Sequence, residues 1–544
     1  MNGTVVAVLT VLAAPVAAQT LPPADVLRRT PTANPDRINE EQRQRLQERA
    51  VPENPPPRQP QVEAPPPADA SASGEPETRF TLTSIEFEPS NYLAASELDA
   101  FAKPLIGTEV SLGDLQRLVD RINALYAQKG LTTARAALPA QQIEGGVVRV
   151  ALIEGRVGTI GVEGGSAPTR RQAERQAAPP KGSLAAPRAL EDRLRLFNAN
   201  NDAQARARLA PGTEYGTTDV TLTLAEPARY SGDLFIDNNG FESTGALEVG
   251  AVLRAYRVFS DADRLSAVIV ASRGVVSSSL SLSTPIGDRF RVGASGSYGR
   301  TRVLFGPLAS LGITGTSLSF GGDAAALVLI NTKASVTATA SIQTTLSRTE
   351  IAGERVVEND AVNASAGALA TYAVPGLSAT LQAQVTRAHV RERLSDETVK
   401  PLLLQGSAAL AKVLGKDLQG RLRGDWQLAT RDNLPGILQY QIGGTRSARS
   451  LTPGAGAGDS GFSTAAELAY ATVLDGVAIE PYAFVDHAQA SLPGQRLSAE
   501  SAGVGLNLSF GAKVFLRGTL ATTIRHSAGL EGSTRGYISA TARF

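Results

Sequence analysis

Across residues 230–544 the chain alternates apolar and polar positions in segments of about ten, broken by Gly, Asp, Asn and Pro. Period-two alternation of that length marks strands with one face in an apolar medium and the other in a wet one. The last segment, GYISATARF, is the cleanest. Ile538, Ala540, Ala542 and Phe544 share one face, and Tyr537, Ser539, Thr541 and Arg543 share the other. The first set suits lipid and the second a wet lumen. About sixteen such segments occur, an even number within the usual range of outer-membrane barrels. The expected fold of 228–544 is a transmembrane β-barrel of about 16 antiparallel strands, with Tyr537 and Phe544 on the C-terminal strand marking it for barrel assembly.

Connection lengths give the barrel a direction. The turns after the even-numbered segments are short: SDAD, PIGD, NTK, VPG, LGKD, LDG and FG. Several odd-numbered connections are long, including VLFGPLASLGITG, IAGERVVEND, RERLSDETV and RHSAGLEGSTR. Short periplasmic turns and long outer loops are the known asymmetry of outer-membrane barrels. Both ends of the barrel are therefore expected in the periplasm.

Ahead of the barrel the period changes. FTLTSIEFE alternates as a strand from Phe80, and a helical segment follows around residues 94–102. SLGDLQRLVDRINALYAQKG then places Leu112, Leu115, Leu118, Val119, Ile122 and Leu125 on one helical face. Ser111 and Asp114 offer a capping box and Gly130 a C-terminal stop. TTARAALP and VVRVALIEG complete a β-α-α-β-β unit over 79–156. A weaker copy spans 157–226: VGTIGVEG, a helical region ending LEDRLRLFN, then QARARLAPG and TDVTLTLAE. The repeated unit resembles the POTRA domain, the periplasmic module that precedes certain outer-membrane barrels. A pair of generic small α+β domains is the alternative.

Residues 1–78 have no core pattern. Residues 5–18, VVAVLTVLAAPVAA, are too short to span a bilayer as a helix, and Val16 and Ala18 stand suitably before a cleavage point. Residues 1–18 are read as a secretory signal peptide. Within 19–50, the stretch NPDRINEEQRQRLQERA is strongly helix-forming but polar on every face, with only Ile38 and Leu46 apolar. It is either a solvated linker or a helix that plugs a polar lumen. Residues 51–78 are a Pro-rich tether.

Composition narrows the function. A net charge of +1 names no nucleic-acid partner. The chain has no cysteine, which excludes a disulfide scaffold, a thiolate zinc site and cysteine catalysis. His389, His487 and His526 are scattered and are read as incidental; no catalytic, cofactor or metal residue is assigned. No later stretch approaches the ~18 apolar residues of a membrane helix, so a spanning structure must be a closed barrel.

The longest connection lies between the eleventh and twelfth segments. It carries Gly443-Gly444, then Arg446 and Arg449. Further on, EPYAFVDHAQ places Glu480, Tyr482, Phe484 and Asp486 on one face and Ile479, Ala483 and Val485 on the other. The apolar set belongs to lipid, so Asp486 points into the lumen, where a guanidinium can bind it bidentately. His487, its neighbour, faces the other way. An ion pair that merely braces the barrel is the plain alternative.

Two POTRA-like units and a sixteen-strand barrel resemble the TpsB transporters of two-partner secretion, the ShlB/FhaC/HecB type. The resemblance covers essentially the whole mature chain. It implies an inward-folded sixth outer loop bearing a VRGY/F-type tetrad, whose arginine meets the aspartate of an F-x-D motif on strand thirteen. Phe484-Val485-Asp486 matches that motif, and Ala448-Arg449-Ser450-Leu451 aligns with the tetrad, preserving only the arginine. Arg446 is the competing partner of Asp486. The implied function is secretion of an unfolded, β-rich client (TpsA-like) captured by the POTRA domains, without enzymatic activity or cofactor. The other implied partners are outer-membrane lipids, periplasmic chaperones and the barrel-assembly machinery, for a transporter that acts as a monomer. The alternatives are an assembly or insertase factor of the same superfamily, which usually has more POTRA units, or a barrel enzyme needing a Ser-His-acid cluster. A plain porin needs no POTRA unit.

Overall fold

The computed structural model describes residues 31–50, 62–63, 79–131 and 133–544. The expected signal peptide at 1–18, and all of the 51–78 linker except 62–63, lie outside the described residues. Sixteen antiparallel strands close a barrel, from β1 (Tyr230–Asp237) to β16 (Thr534–Arg543). Two of them are interrupted: β10 (Glu397–Val399 with Leu402–Val413) and β12 (Ser460–Tyr470 with Thr472–Leu474). Closure joins β1 to β16, with Asp233 opposite Arg543 and Asp237 opposite Ser539. Gly232 and Phe544 extend the seam by exchanging backbone hydrogen bonds of 3.0 and 2.9 Å. A Cβ on Gly232 would stand 2.5 Å from the Phe544 ring, so the ring lies directly over the glycine at this end of the seam. Closure leaves no unpaired strand edge in lipid.

Side-chain alternation follows the sequence pattern. Ile538 and Phe544 are exposed on the outer wall, and Tyr537 is buried on the inner one. The connections differ from expectation at two places. IAGERVVEND is not a loop, because β7 (Ala334–Ile351) and β8 (Glu354–Val374) pair through it and leave a two-residue turn. Ala352 and Gly353 both have positive φ, 51° and 86°, the geometry of a tight hairpin turn. RERLSDETV is shortened likewise, since β9 (Leu377–Glu392) pairs back onto Glu397–Val399. Near this end of β7 and β8 the inner face carries Thr349 and Asn359 and the outer face Arg348 and Glu358, all polar, so the period of two has little to sort.

Two α/β units precede the barrel. In the first, FTLTSIEFE is broken rather than continuous. Phe80–Thr81 pairs with Glu109–Val110, while Ser84–Phe87 runs parallel to Val147–Glu154. Helix α3 (Leu112–Gln128), which follows α2 (Ala95–Ala102), packs Leu115, Leu118, Val119, Ile122 and Tyr126 into the core. Leu112, expected on that face, is 65% exposed because the helix begins there, before its buried stripe. Ser111 and Asp114 form the predicted capping box, with the Ser111 N–H donating to Asp114 at 2.9 Å. The second unit carries α4 (Ala167–Gln176) and α5 (Pro187–Asn200) on a sheet of Arg156–Gly164, Thr217–Ala225 and Gln204–Pro211. Val62–Glu63 adds a parallel strand to the Gln204–Pro211 edge.

The second unit docks on the short-turn end of the barrel. Arg264 at the start of β3 (Arg264–Ala271) donates to Asp202 at 2.6 Å, and Gln176 donates to the Gly287 carbonyl at 2.5 Å. Gly287 opens the turn between β4 (Val275–Ile286) and β5 (Phe290–Arg302). The short turns and the α/β units thus share one end of the molecule.

Candidate functional site

The 430–459 connection between β11 (Leu418–Ala429) and β12 turns into the lumen. Asp459 fixes its base by accepting the Asn433 and Leu434 N–H groups, each at 2.8 Å. Gln427 of β11 donates to the Leu438 and Asp459 carbonyls at 2.7 and 3.0 Å. Leu434, Ile437 and Leu438 then pack on inner-wall residues Ala361, Ala388, Val390 and Leu403. Burying that apolar knob favours the inward course over a solvated one. Tyr440–Ile442 and Gly456–Gly458 pair as a short hairpin whose tip carries both arginines.

The tip closes tightly on itself. Gly443 has φ 110°, and a Cβ there would stand 2.0 Å from the Thr452 carbonyl oxygen. Gly444, φ 78°, donates its N–H to the Leu451 carbonyl at 3.0 Å. A side chain at Gly443 would part the two arms of the tip.

Arg449 meets Asp486 on β13 (Val477–Leu492). Its Nε donates to Oδ2 at 2.9 Å and its Nη2 to Oδ1 at 2.6 Å, a bidentate fork. The Arg449 backbone N–H adds a bond to Oδ2 at 3.2 Å. Nη1 reaches Glu467 on β12 at 2.6 Å, and the guanidinium carbon lies 3.4 Å from the Phe484 ring centroid. Arg449 and Asp486 are 5% and 4% exposed. Charges so desolvated persist only when geometry and further hydrogen bonds offset their lost hydration. Here one guanidinium serves two carboxylates and an aromatic face.

The structure brings Arg449, Asp486 and Phe484 together as the alternation and the loop position indicated. Arg446 does not join them. Its Nη2 lies 2.8 Å from Glu48, and its Nη1 donates to Gln44 at 3.3 Å, both on the N-terminal helix. Ser450 and Leu451 stand where the resembled tetrad has its glycine and aromatic. Ser450 Oγ lies 2.7 Å from Ser501 Oγ and accepts from Thr523 at 2.8 Å, while Leu451 packs with Ala488, Ala490 and Leu497. Tyr537, expected to matter for barrel assembly, donates its hydroxyl to the Leu451 carbonyl at 3.0 Å. Sequence reasoning missed Glu467; the alternation Ser463, Ala465, Glu467 along β12 carried the signal, since Ser463 and Ala465 are buried. It also missed Asp459, which sits in an irregular stretch with no period to orient it.

Helix α1 (Pro35–Ala50) lies inside the barrel against the inner faces of β3 to β7, with β6 spanning Thr314–Ile330. Its two apolar residues find apolar recesses: Leu46 among Phe235, Val252, Val268 and Val270, and Ile38 against Phe241 and Val275. Its polar faces meet the wet wall. Asn39 accepts from Thr301 at 2.7 Å, Asp36 accepts from Asn359 at 2.9 Å, Gln42 donates to Glu248 at 2.6 Å, and Arg49 donates to Asp237 at 2.9 Å. A helix polar all round thus has a core to join after all, one made of lumenal polar groups. The hairpin holds the helix from the other side, Gln441 donating to the Arg37 carbonyl at 3.0 Å.

Comparison with known proteins agrees with this architecture. Residues 80–155 match the ShlB-type POTRA domain, and residues 216–510, more than half of the chain, match the haemolysin secretion/activation protein ShlB/FhaC/HecB. The outer membrane transporter CdiB of Escherichia coli is 28% identical over 188 residues, 34% of this chain and 32% of that protein. The heme/hemopexin transporter protein HuxB of Haemophilus influenzae (strain 86-028NP) is 28% identical over 202 residues, 36% of this chain and 35% of that protein. The chain thus spans about a third of the length of the curated relatives it matches. Among solved structures, CdiB from Escherichia coli superposes with TM-score 0.66 at 19% identity, covering 97% of this chain and all of that one. CdiB from Acinetobacter baumannii gives 0.63 at 16% identity over the same shares. At these identities the likeness is one of fold.

Proposed function

The chain belongs to the haemolysin secretion/activation family of the ShlB/FhaC/HecB type, outer-membrane transporters rather than enzymes, and on that footing we propose that it exports an unfolded, β-rich client protein through its own barrel. The barrel sits in the outer membrane with the α/β units in the periplasm. The observation that carries the proposal is α1 in the lumen. It is held by side-chain contacts to wall and loop, and every polar group it gives up on leaving is rehydrated in a wet channel. Such a plug is removable.

Capture precedes passage. A β-rich client adds to an exposed sheet edge by β-augmentation, its main chain supplying the affinity. The Gln204–Pro211 strand offers that edge, and Val62–Glu63 of the tether lies on it. A client strand competes with two residues of tether there, and its arrival frees the segment that leads to the plug. Arg449 and Asp486 hold the inward loop against the wall, so that the loop keeps its place when the helix goes.

The test is deletion of residues 34–50. Single-channel conductance in planar bilayers rises and client secretion continues. Conductance and gating both unchanged would reduce the segment to a tether and remove the lumenal route.

A further inference from the structure

The outer wall of β5 to β7 carries a feature that transport leaves unused. Thr301 donates to Asn39 of the lumenal helix at 2.7 Å, and a Cβ on Gly299 would meet the same Asn39 at 2.9 Å. Both residues therefore face inward, and Arg300 and Arg302 between and beyond them face outward. Thr349 and Asn359 contact Asp36 inside, so Arg348 on β7 and Glu358 on β8 face outward too. Arg300 and Arg348 both stand directly opposite Thr316 of β6, one from each side, and Arg302 stands opposite Thr314. At the usual strand spacing the Cα atoms of Arg300 and Arg348 lie about 10 Å apart. Two guanidinium forks at that separation close on one tetrahedral anion above the Thr316 hydroxyl.

The height of this row selects the ligand. The outward file of β5 runs Phe290, Val292, Ala294, Gly296 and Tyr298 before reaching Arg300. Ten residues of a strand tilted ~40° climb ~25 Å, the height of the apolar band of an outer-membrane barrel. Phe290 begins next to the periplasmic turn at Gly287, so Arg300 lies at the outer headgroups. Directly below the arginines, Tyr298, Leu318 and Leu346 form one exposed cross-strand row, with Phe320 and Ile342 exposed lower down. Glu358 holds Arg348 at 3.1 Å and Arg355 at 3.4 Å, and Glu350 stands opposite both Thr314 and Arg355, so the two carboxylates of the row already have partners. Among the described residues, Arg300 and Arg302 form no ion pair within 4.0 Å.

We propose that Arg300, Arg302 and Arg348, with the Thr314 and Thr316 hydroxyls, form a binding site for the phosphorylated disaccharide of an outer-leaflet glycolipid of the lipid A class, whose acyl chains lie on Tyr298, Leu318, Leu346 and Phe320. Arg fits phosphate bidentately, and cation above apolar wall matches headgroup above chains. The assignment is independent of what passes through the lumen.

The experiment is native mass spectrometry of the full-length detergent-purified protein with diphosphorylated lipid A, the same lipid enzymatically dephosphorylated, and phosphatidylglycerol. Wild type retains diphosphorylated lipid A above both other lipids, and R300Q/R302Q weakens that retention on the order of tenfold. R525Q, on the far wall, leaves it unchanged, and heat-modifiability on gels reports that each barrel is folded. Equal retention by R300Q/R302Q, equal binding of the dephosphorylated lipid, or equal binding of phosphatidylglycerol overturns the site.

Discussion

Arg446 pairs with Glu48 of the lumenal helix at 2.8 Å, three residues before Arg449 forks onto Asp486 of the barrel wall. One loop tip thus touches both the helix in the lumen and the barrel wall, through two arginines with different exposure. The Arg446–Glu48 pair is 40% and 58% exposed and contributes about 0–1 kcal/mol at most. Arg446→Ala should therefore loosen the helix slightly: openings in planar bilayers become more frequent and secretion persists. Secretion lost in Arg446→Ala but intact in Arg449→Ala would transfer the wall-fixing role to Arg446.

Arg449→Ala and Asp486→Ala each strand a buried charge, at a cost of about 2–5 kcal/mol. Each variant should assemble as a barrel yet secrete poorly, and the double variant should be little worse than either single one. Secretion and heat-modifiability measured side by side check this. A double variant whose defect is the sum of the two would mean that the residues act separately.

Glu467 shares Arg449 with Asp486, at 2.6 Å. Glu467→Gln keeps a hydrogen-bond acceptor on the remaining contact and should impair secretion less than Asp486→Asn, which unbalances the bidentate fork. The reverse order would make Glu467 the principal partner.

How much of this was legible in the sequence depended on where hydropathy had something to sort. On β13 lipid lies on one side, so Ile479, Ala483 and Val485 gave away the inward direction of Phe484 and Asp486. Arg348, Glu350, Glu354 and Glu358 lie at the end of β7 and the start of β8, where polar residues such as Thr349 and Asn359 line the inner face and charged ones the outer, so that the segment passes for a loop. Helix α1 was legible as a helix but not as a plug, because a helix polar on every face looks the same in water and in a lumen lined by Asp237, Glu248, Thr301 and Asn359. In the first unit Leu115, Leu118, Val119 and Ile122 are buried as the period indicated, while Leu112, at the first position of the helix, is exposed and Tyr126 completes the buried stripe.

The first α/β unit offers a pH test outside the membrane. The Ser111 backbone N–H, then the Ser111 hydroxyl and Arg117, hold the Asp114 carboxyl down from 3.8 to about 2. A depressed carboxylate contributes stability above its unfolded pKa and loses it as the pH falls through the folded one. The fragment 79–226 should unfold cooperatively. Asp114→Ala should be less stable than wild type near neutral pH, with the gap closing as pH falls from 3.8 to about 2. A gap that stays constant over that range would remove the charged cap from the account.

The central claim is that the helix must leave the lumen for the client to pass, and a reversible lock tests it most directly. The chain has no cysteine, so a pair introduced at Asn39→Cys and Thr301→Cys is the only one present. The two side chains already meet at 2.7 Å, tying α1 to β5. Client secretion measured with this variant oxidised should be abolished, and reduction should restore it, with both single-cysteine variants secreting under either condition. Full secretion with the disulfide formed would contradict the account.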